Sequence, residues 1–178
     1  MIANLLTALR LLLVIPVAWS CAEPERFPPW ALLVMILLAI ASDYFDGKVA
    51  RYMNTASAKG QLFDHTTDFL FVTCGLFGAA AAGLVWPWLP LLIVLAFAQY
   101  VIDSYFLYRQ KQLRMSFLGR WNGVFYFLPL IIIGLSRLEL LEPITPLLST
   151  LLLVTVYALT LSTLASILDR AIAPLRAR

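Results

Sequence analysis

Two runs, Asp43-Tyr44-Phe45-Asp46-Gly47-Lys48-Val49-Ala50-Arg51 and Gly60-Gln61-Leu62-Phe63-Asp64-His65-Thr66-Thr67-Asp68, put four acids in or beside segments apolar enough to cross a bilayer. Asp43 and Asp46 are three apart, and Asp64 and Asp68 are four apart. On helices each spacing puts both carboxylates on one face, a turn apart. The polar break between the runs, Asn54-Thr55-Ala56-Ser57-Ala58-Lys59, is short. The pattern therefore predicts a helical hairpin centred near residue 55. Asp46 and Asp64 are then nearly equidistant from the turn, and so are Asp43 and Asp68. All four carboxylates are expected to meet at one depth between two antiparallel helices.

Four such charges cannot sit there alone. At the bilayer centre each would cost about 2.5–3.5 kcal/mol on insertion scales, and mutual repulsion adds to that. Two divalent cations would neutralise them, and all-oxygen ligation suits Mg²⁺ or Mn²⁺. Two such ions about 3.5–4 Å apart can clamp a phosphoryl group during in-line displacement.

Composition supports a membrane setting. The chain has 178 residues, of which 62% are hydrophobic and only 13% charged, and its mean hydropathy is +0.87. The expectation is an all-α polytopic membrane protein with six transmembrane helices in one bundle, forming a single domain over residues 1–178. The spans are expected at about 1–21, 30–53, 60–86, 89–108, 121–138 and 144–168. The first resembles a signal peptide, but Trp19 stands where a small residue is wanted before a cleavage site, so a retained span is expected. Pro129 is expected to kink the fifth span. Gly75, Ala79 and Gly83 recur at four-residue spacing in the third span, which suits close packing within the bundle or between subunits.

Six spans put both termini on one side. Lys48, Arg51, Lys59, Arg109, Lys111, Arg114, Arg120, Arg170, Arg176 and Arg178 fall on that side, against Arg26 and Arg137 on the other. The positive-inside rule makes the termini and the acid hairpin cytoplasmic. The net charge of +3 thus reports topology, and no nucleic-acid partner is expected. Cys21 and Cys74 form neither a metal-ligand spacing nor a disulfide framework. One histidine, His65, excludes a multi-histidine zinc site within the chain. No P-loop and no G-x-S-x-G elbow is present.

At this point the residues match a signature. The chain resembles the CDP-alcohol phosphotransferase family of integral membrane enzymes, whose pattern is D-x2-D-G-x2-A-R-x8-G-x3-D-x3-D. Asp43, Asp46, Gly47, Ala50, Arg51, Gly60, Asp64 and Asp68 keep every spacing. The resemblance implies transfer of a substituted phosphoryl group from a CDP-linked donor to an alcohol, with release of CMP, in phospholipid synthesis. It implies that Asp43 and Asp64 bridge two divalent metals, Mg²⁺ or Mn²⁺. Asp46 would complete one metal site and Asp68 the other, and Asp68 would also be the general base. Gly47, Arg51 and Ser57 would contact the CDP portion, with Gly60 leaving space for it. Asn4, Thr7 and Arg10 recur every three residues on one face of the first span. They either anchor it at the interface or line the nucleotide site. The resemblance further implies a homodimer, and a bacterial inner membrane is expected with the site facing the cytoplasm.

The acceptor is less determined. Asp103, Arg109, Lys111, Arg114 and Arg120 lie near the expected cytoplasmic mouth. They are either ordinary inside-positive loop charge or a site for an anionic acceptor such as glycerol 3-phosphate. His65 is either an interfacial histidine or a partner of Asp64 that helps move a proton. Phe63-Asp64-His65 resembles the branch using CDP-choline or CDP-ethanolamine with diacylglycerol. Chain size and the basic mouth favour CDP-diacylglycerol as donor. A transporter with intramembrane carboxylates is the reading from another class, but neither midplane acids nor inverted repeats support it.

Overall fold

The computed structural model describes residues 2–52, 58–103 and 117–176. Within these, the side chains of 2–6, 46, 47, 49–52, 58, 59, 61 and 173–176 are outside the description. The described residues form helices with no strand. They are α1 (Ile2–Ala22), α2 (Ala31–Tyr52), α3 (Ala58–Ala81), α4 (Trp88–Ile102), α5 (Phe117–Phe125), α6 (Phe127–Ser136) and α7 (Thr145–Arg176). Short 3₁₀ segments at Pro24–Arg26 and Glu139–Ile144 turn the chain between helices.

Among the described residues the helices make six passes, because α5 and α6 form one interrupted pass. The interruption is at Tyr126, three residues before Pro129. Proline lacks an N–H, so the carbonyl of Phe125 loses its helical donor at that place. Two stretches are long and apolar enough to cross a membrane, Phe117–Ser136 and Glu139–Ile172. Thr7–Ala22, Ala31–Phe45 and Trp88–Ile102 are shorter apolar helical stretches. Large apolar side chains also point outward along the bundle, among them Leu12, Ile15, Leu37, Leu95, Leu153 and Leu161. A lipid environment accounts for such a surface.

The centre is α1. It packs extensively on both α2 and α3, and Val14, Val17 and Cys21 join Leu32, Ile36, Ala39, Phe71, Leu76 and Leu130 in the buried core. Among the described residues α2 and α3 each pack on α1 and not on one another, where the hairpin reading had them face to face. α1 stands between them, and the acid-bearing ends meet across it.

Small residues set the spacing of α1 and α3. A Cβ added at Gly78 would lie 2.1 Å from the Ala18 carbonyl oxygen, and one at Gly75 would lie 3.0 Å from Leu130 and 3.2 Å from Val17. The small face of α3 is thus used within one chain. Gly83 does something else. It has φ +73° and ends α3 well before Trp86. The Leu84 N–H donates to the Ala79 carbonyl and the Gly83 N–H to that of Ala80. That pair of bonds is the Schellman arrangement, which favours glycine at the left-handed position.

At the far end of α1, Arg137 Nη1 donates to the Ser20 carbonyl oxygen at 2.8 Å. Trp19, Trp30, Trp86 and Trp88 are exposed near that end of the bundle, as expected of an interfacial belt. At the other end Arg170 of α7 pairs with Asp103, just past α4, at 3.8 Å. The passes therefore alternate up and down.

Candidate active site

Arg10 lies within α1, and its side chain is fully buried. Its Nη2 is 3.2 Å from Asp43 Oδ1 of α2. Its Nη1 is 3.0 Å from Asp64 Oδ1 of α3 and also contacts Asp68 Oδ1. One guanidinium thus collects acids from both neighbouring helices. Arginine's fixed fork makes this possible, because its two terminal nitrogens can serve different helices at once. Asp43 is 48% exposed, Asp64 28% and Asp68 26%. The carboxylates therefore open to the outside while Arg10 forms the floor beneath them.

Three hydroxyls on the helices bearing these acids are satisfied within their own helix. Thr66 and Thr67 donate to the carbonyls one turn back, Leu62 and Phe63, and Ser42 donates to Ala39. Such back-bonding lets hydroxyls lie in an apolar setting without partners on other helices. The acids of α2 and α3 are instead aimed at a shared point.

The donor set fits a hard divalent cation. Asp64, His65 and Asp68 each offer a ligand atom, all within 4.8 Å of one another. Asp43 reaches the same guanidinium as Asp64 and Asp68, so its oxygen belongs to the same small volume. Carboxylate oxygens are the ligands Mg²⁺ and Mn²⁺ prefer, and an imidazole is compatible with Mn²⁺. Acids held this close are tolerable only with positive charge among them. Arg10 supplies part of it.

The other expected residues are placed as follows. Thr7 is buried one turn before Arg10 on α1. Gly60 is near the start of α3, one turn before Asp64. Arg120 is exposed on α5. Asp103 pairs with Arg170, whose guanidinium also lies 5.0 Å from the Tyr100 ring centre. Asp46, Gly47 and Arg51 continue α2, and Asn4 lies in α1, but their side chains are outside the description. Ser57, Arg109, Lys111 and Arg114 lie outside the described residues.

Two features escaped the sequence reading. The first is Arg10 as direct partner of three aspartates. Its spacing from Thr7 placed it on a polar face, but nothing local says which acids that face meets. The second is a polar seam between α5, α6 and α7. Ser162 donates to Asn122 at 2.6 Å, and Tyr126 and Thr163 share a hydrogen bond of 2.8 Å. Tyr126 is the residue at the helix interruption, so this seam holds α7 against the break. The signal lay in the hydroxyls of α7, which recur among apolar residues.

A family model described as CDP-alcohol phosphatidyltransferase matches residues 1–170. The chain is 32% identical over 141 residues to the cardiolipin synthase (CMP-forming) of Streptomyces coelicolor, covering 75% of this chain and 65% of that protein. It is 30% identical over 147 residues to the CDP-diacylglycerol–glycerol-3-phosphate 3-phosphatidyltransferase of Cereibacter sphaeroides, covering 78% and 66%. The match therefore spans just under two thirds of each relative's length. No solved structure matches.

Proposed function

The chain belongs to the CDP-alcohol phosphatidyltransferase family, and from that premise we propose that it transfers a phosphatidyl group from CDP-diacylglycerol to an alcohol, releasing CMP. The observation that carries this reading is the convergence of Asp43, Asp64 and Asp68 on one point from two helices. No packing role requires three carboxylates at one place in an apolar bundle. The name of the Cereibacter relative supports a CDP-diacylglycerol donor and a glycerol 3-phosphate acceptor, and that of the Streptomyces relative supports release of CMP. The aminoalcohol branch suggested by Phe63-Asp64-His65 has no such support.

Two divalent cations, Mg²⁺ or Mn²⁺, would supply polarisation of the donor's diphosphate and charge stabilisation of the leaving CMP. Asp43, Asp46, Asp64 and Asp68 are the residues to hold them. Asp68 takes the proton of the acceptor hydroxyl, because an alcohol is a weak nucleophile and needs a base within reach. The acceptor oxygen then forms a bond to the phosphorus of the phosphatidyl group, and the bond from that phosphorus to CMP breaks. Gly47, Arg51, Ser57, Gly60, Asn4 and Thr7 are assigned to the CDP portion. Arg120, Arg109, Lys111 and Arg114 are assigned to the acceptor's phosphate. Asp103 is a weaker candidate, since Arg170 engages it.

The same reading places the site at the cytoplasmic face of a bacterial inner membrane, in a homodimer. Inside-positive charge supports the orientation. The dimer rests on family resemblance.

The test is CMP formation by purified protein from CDP-diacylglycerol, with glycerol 3-phosphate or phosphatidylglycerol as acceptor. CMP should appear only with both donor and acceptor, and only with Mg²⁺ or Mn²⁺. Movement of a solute across vesicles without CMP release would favour a transporter instead.

A further inference from the structure

Arg10 touches three of the four carboxylates that the proposed reaction assigns to metal ions. Its contacts are to Oδ1 of Asp43, of Asp64 and of Asp68. An oxygen accepting from a guanidinium has less to give a cation, and two positive charges at that range repel. Full occupation by Arg10 and by two divalent ions is therefore disfavoured.

We propose that Arg10 is a built-in counter-ion of the acid centre, which competes with divalent cations for these carboxylates and is expelled when the second cation loads. This rests on the metal reading of the site given above, and it adds a role that reading does not contain. Charge counting supports it. Three aspartates and Arg10 sum to −2, and Asp46 makes −3. One divalent ion leaves −1, so Arg10 is still attracted. Two leave +1, so Arg10's charge then needs another anion. The diphosphate of the donor is the anion that arrives.

The geometry gives the exchange a consequence for chemistry. While Asp68 accepts from Arg10, its oxygen is engaged and is a poor proton acceptor. Release of Arg10 as the cations load hands that oxygen to a cation and leaves the second oxygen of the Asp68 carboxylate for the acceptor's proton. Arg10 is thus a positioning residue that links cation loading to availability of the base. A lysine could not do the same, because a single ammonium does not span Asp43 on one helix and Asp64 with Asp68 on another.

The test uses full-length protein in detergent, stripped with chelator and titrated with Mn²⁺, comparing wild type with Arg10→Gln. Two readouts should move in opposite directions. The stripped variant should melt at a lower temperature than wild type, because its carboxylates have lost their counter-charge. Its Mn²⁺ affinity should rise by about tenfold, within the usual range of coupling between sites. A merely structural arginine would lower both. Unchanged or weaker Mn²⁺ binding in Arg10→Gln overturns the proposal. Should that variant not survive stripping, the ¹⁵N spectrum of wild-type guanidinium groups carries the test, with Arg10 assigned by its loss in Arg10→Lys. Saturating Mg²⁺ should convert the Arg10 signal from restrained to freely rotating, and an indifferent signal overturns the idea. Mn²⁺ binding that is equal in wild type and Asp43→Asn would fail the metal reading itself, and the competition with it.

Discussion

Asp68 shares Arg10 with Asp64, one helical turn away, and both are assigned to the cations, yet only Asp68 is also assigned the acceptor's proton. Asn is nearly the same shape as Asp and cannot take a proton, so Asp68→Asn separates the roles. Transfer should fall by about 10²–10⁴-fold, the usual contribution of a positioned base. Nucleotide and Mn²⁺ should still bind. CMP release and Mn²⁺ titration on the same preparation check both halves. Full activity would remove Asp68 as the base, and loss of Mn²⁺ binding would make it a ligand first. His65 shows how far residue type alone reaches. As one histidine beside Asp64 it was compatible with an interfacial side chain or a proton relay. Its place within 4.8 Å of the Asp64 and Asp68 oxygens adds a third option, that of a ligand.

At the scale of elements, the close approach of α1 and α3 decides how the acids are presented. Arg10 reaches α3 because small residues further along let the two helices touch. Gly78→Ala should therefore be costly, since its Cβ would enter the space of the Ala18 carbonyl. Backbone cannot yield as a flexible side chain does, and overpacking of this kind costs about 1–3 kcal/mol. The melting temperature in detergent should fall. Gly123→Ala is the control. Nothing lies within 4 Å of a Cβ there, and alanine is the better helix former, so the melting temperature should hold or rise slightly. The small-residue periodicity was legible in the sequence, but its partner was not. Gly83 shared that periodicity and is a helix terminator, because a four-residue repeat does not say where the helix ends. The break at Tyr126 was legible from Pro129, since a missing N–H is a local property.

At the scale of the whole molecule, alternation of the passes puts the acid centre and Arg137 at opposite ends. The proposed orientation, with the acid end cytoplasmic, rests on the charge asymmetry. Lys48→Cys should react with a membrane-impermeant maleimide only in inside-out vesicles, and Glu142→Cys only in right-side-out vesicles or intact cells. The reverse pattern would turn the protein over and remove the site from soluble cytoplasmic acceptors. Cys21 is buried and Cys74 partly so, which keeps the background low.

The sequence by itself determined the helical class, the number of passes among the described residues and the acids proposed to carry the chemistry. Hydropathy, proline and fixed acid spacings act over a few residues, so they can be read along the chain. Tertiary structure alone decided that α1 packs on both acid-bearing helices and that Arg10 joins their carboxylates. Those facts depend on which helical faces meet, and close packing settles that through contacts between residues as far apart as Arg10 and Asp68. No local pattern in the chain contains that information.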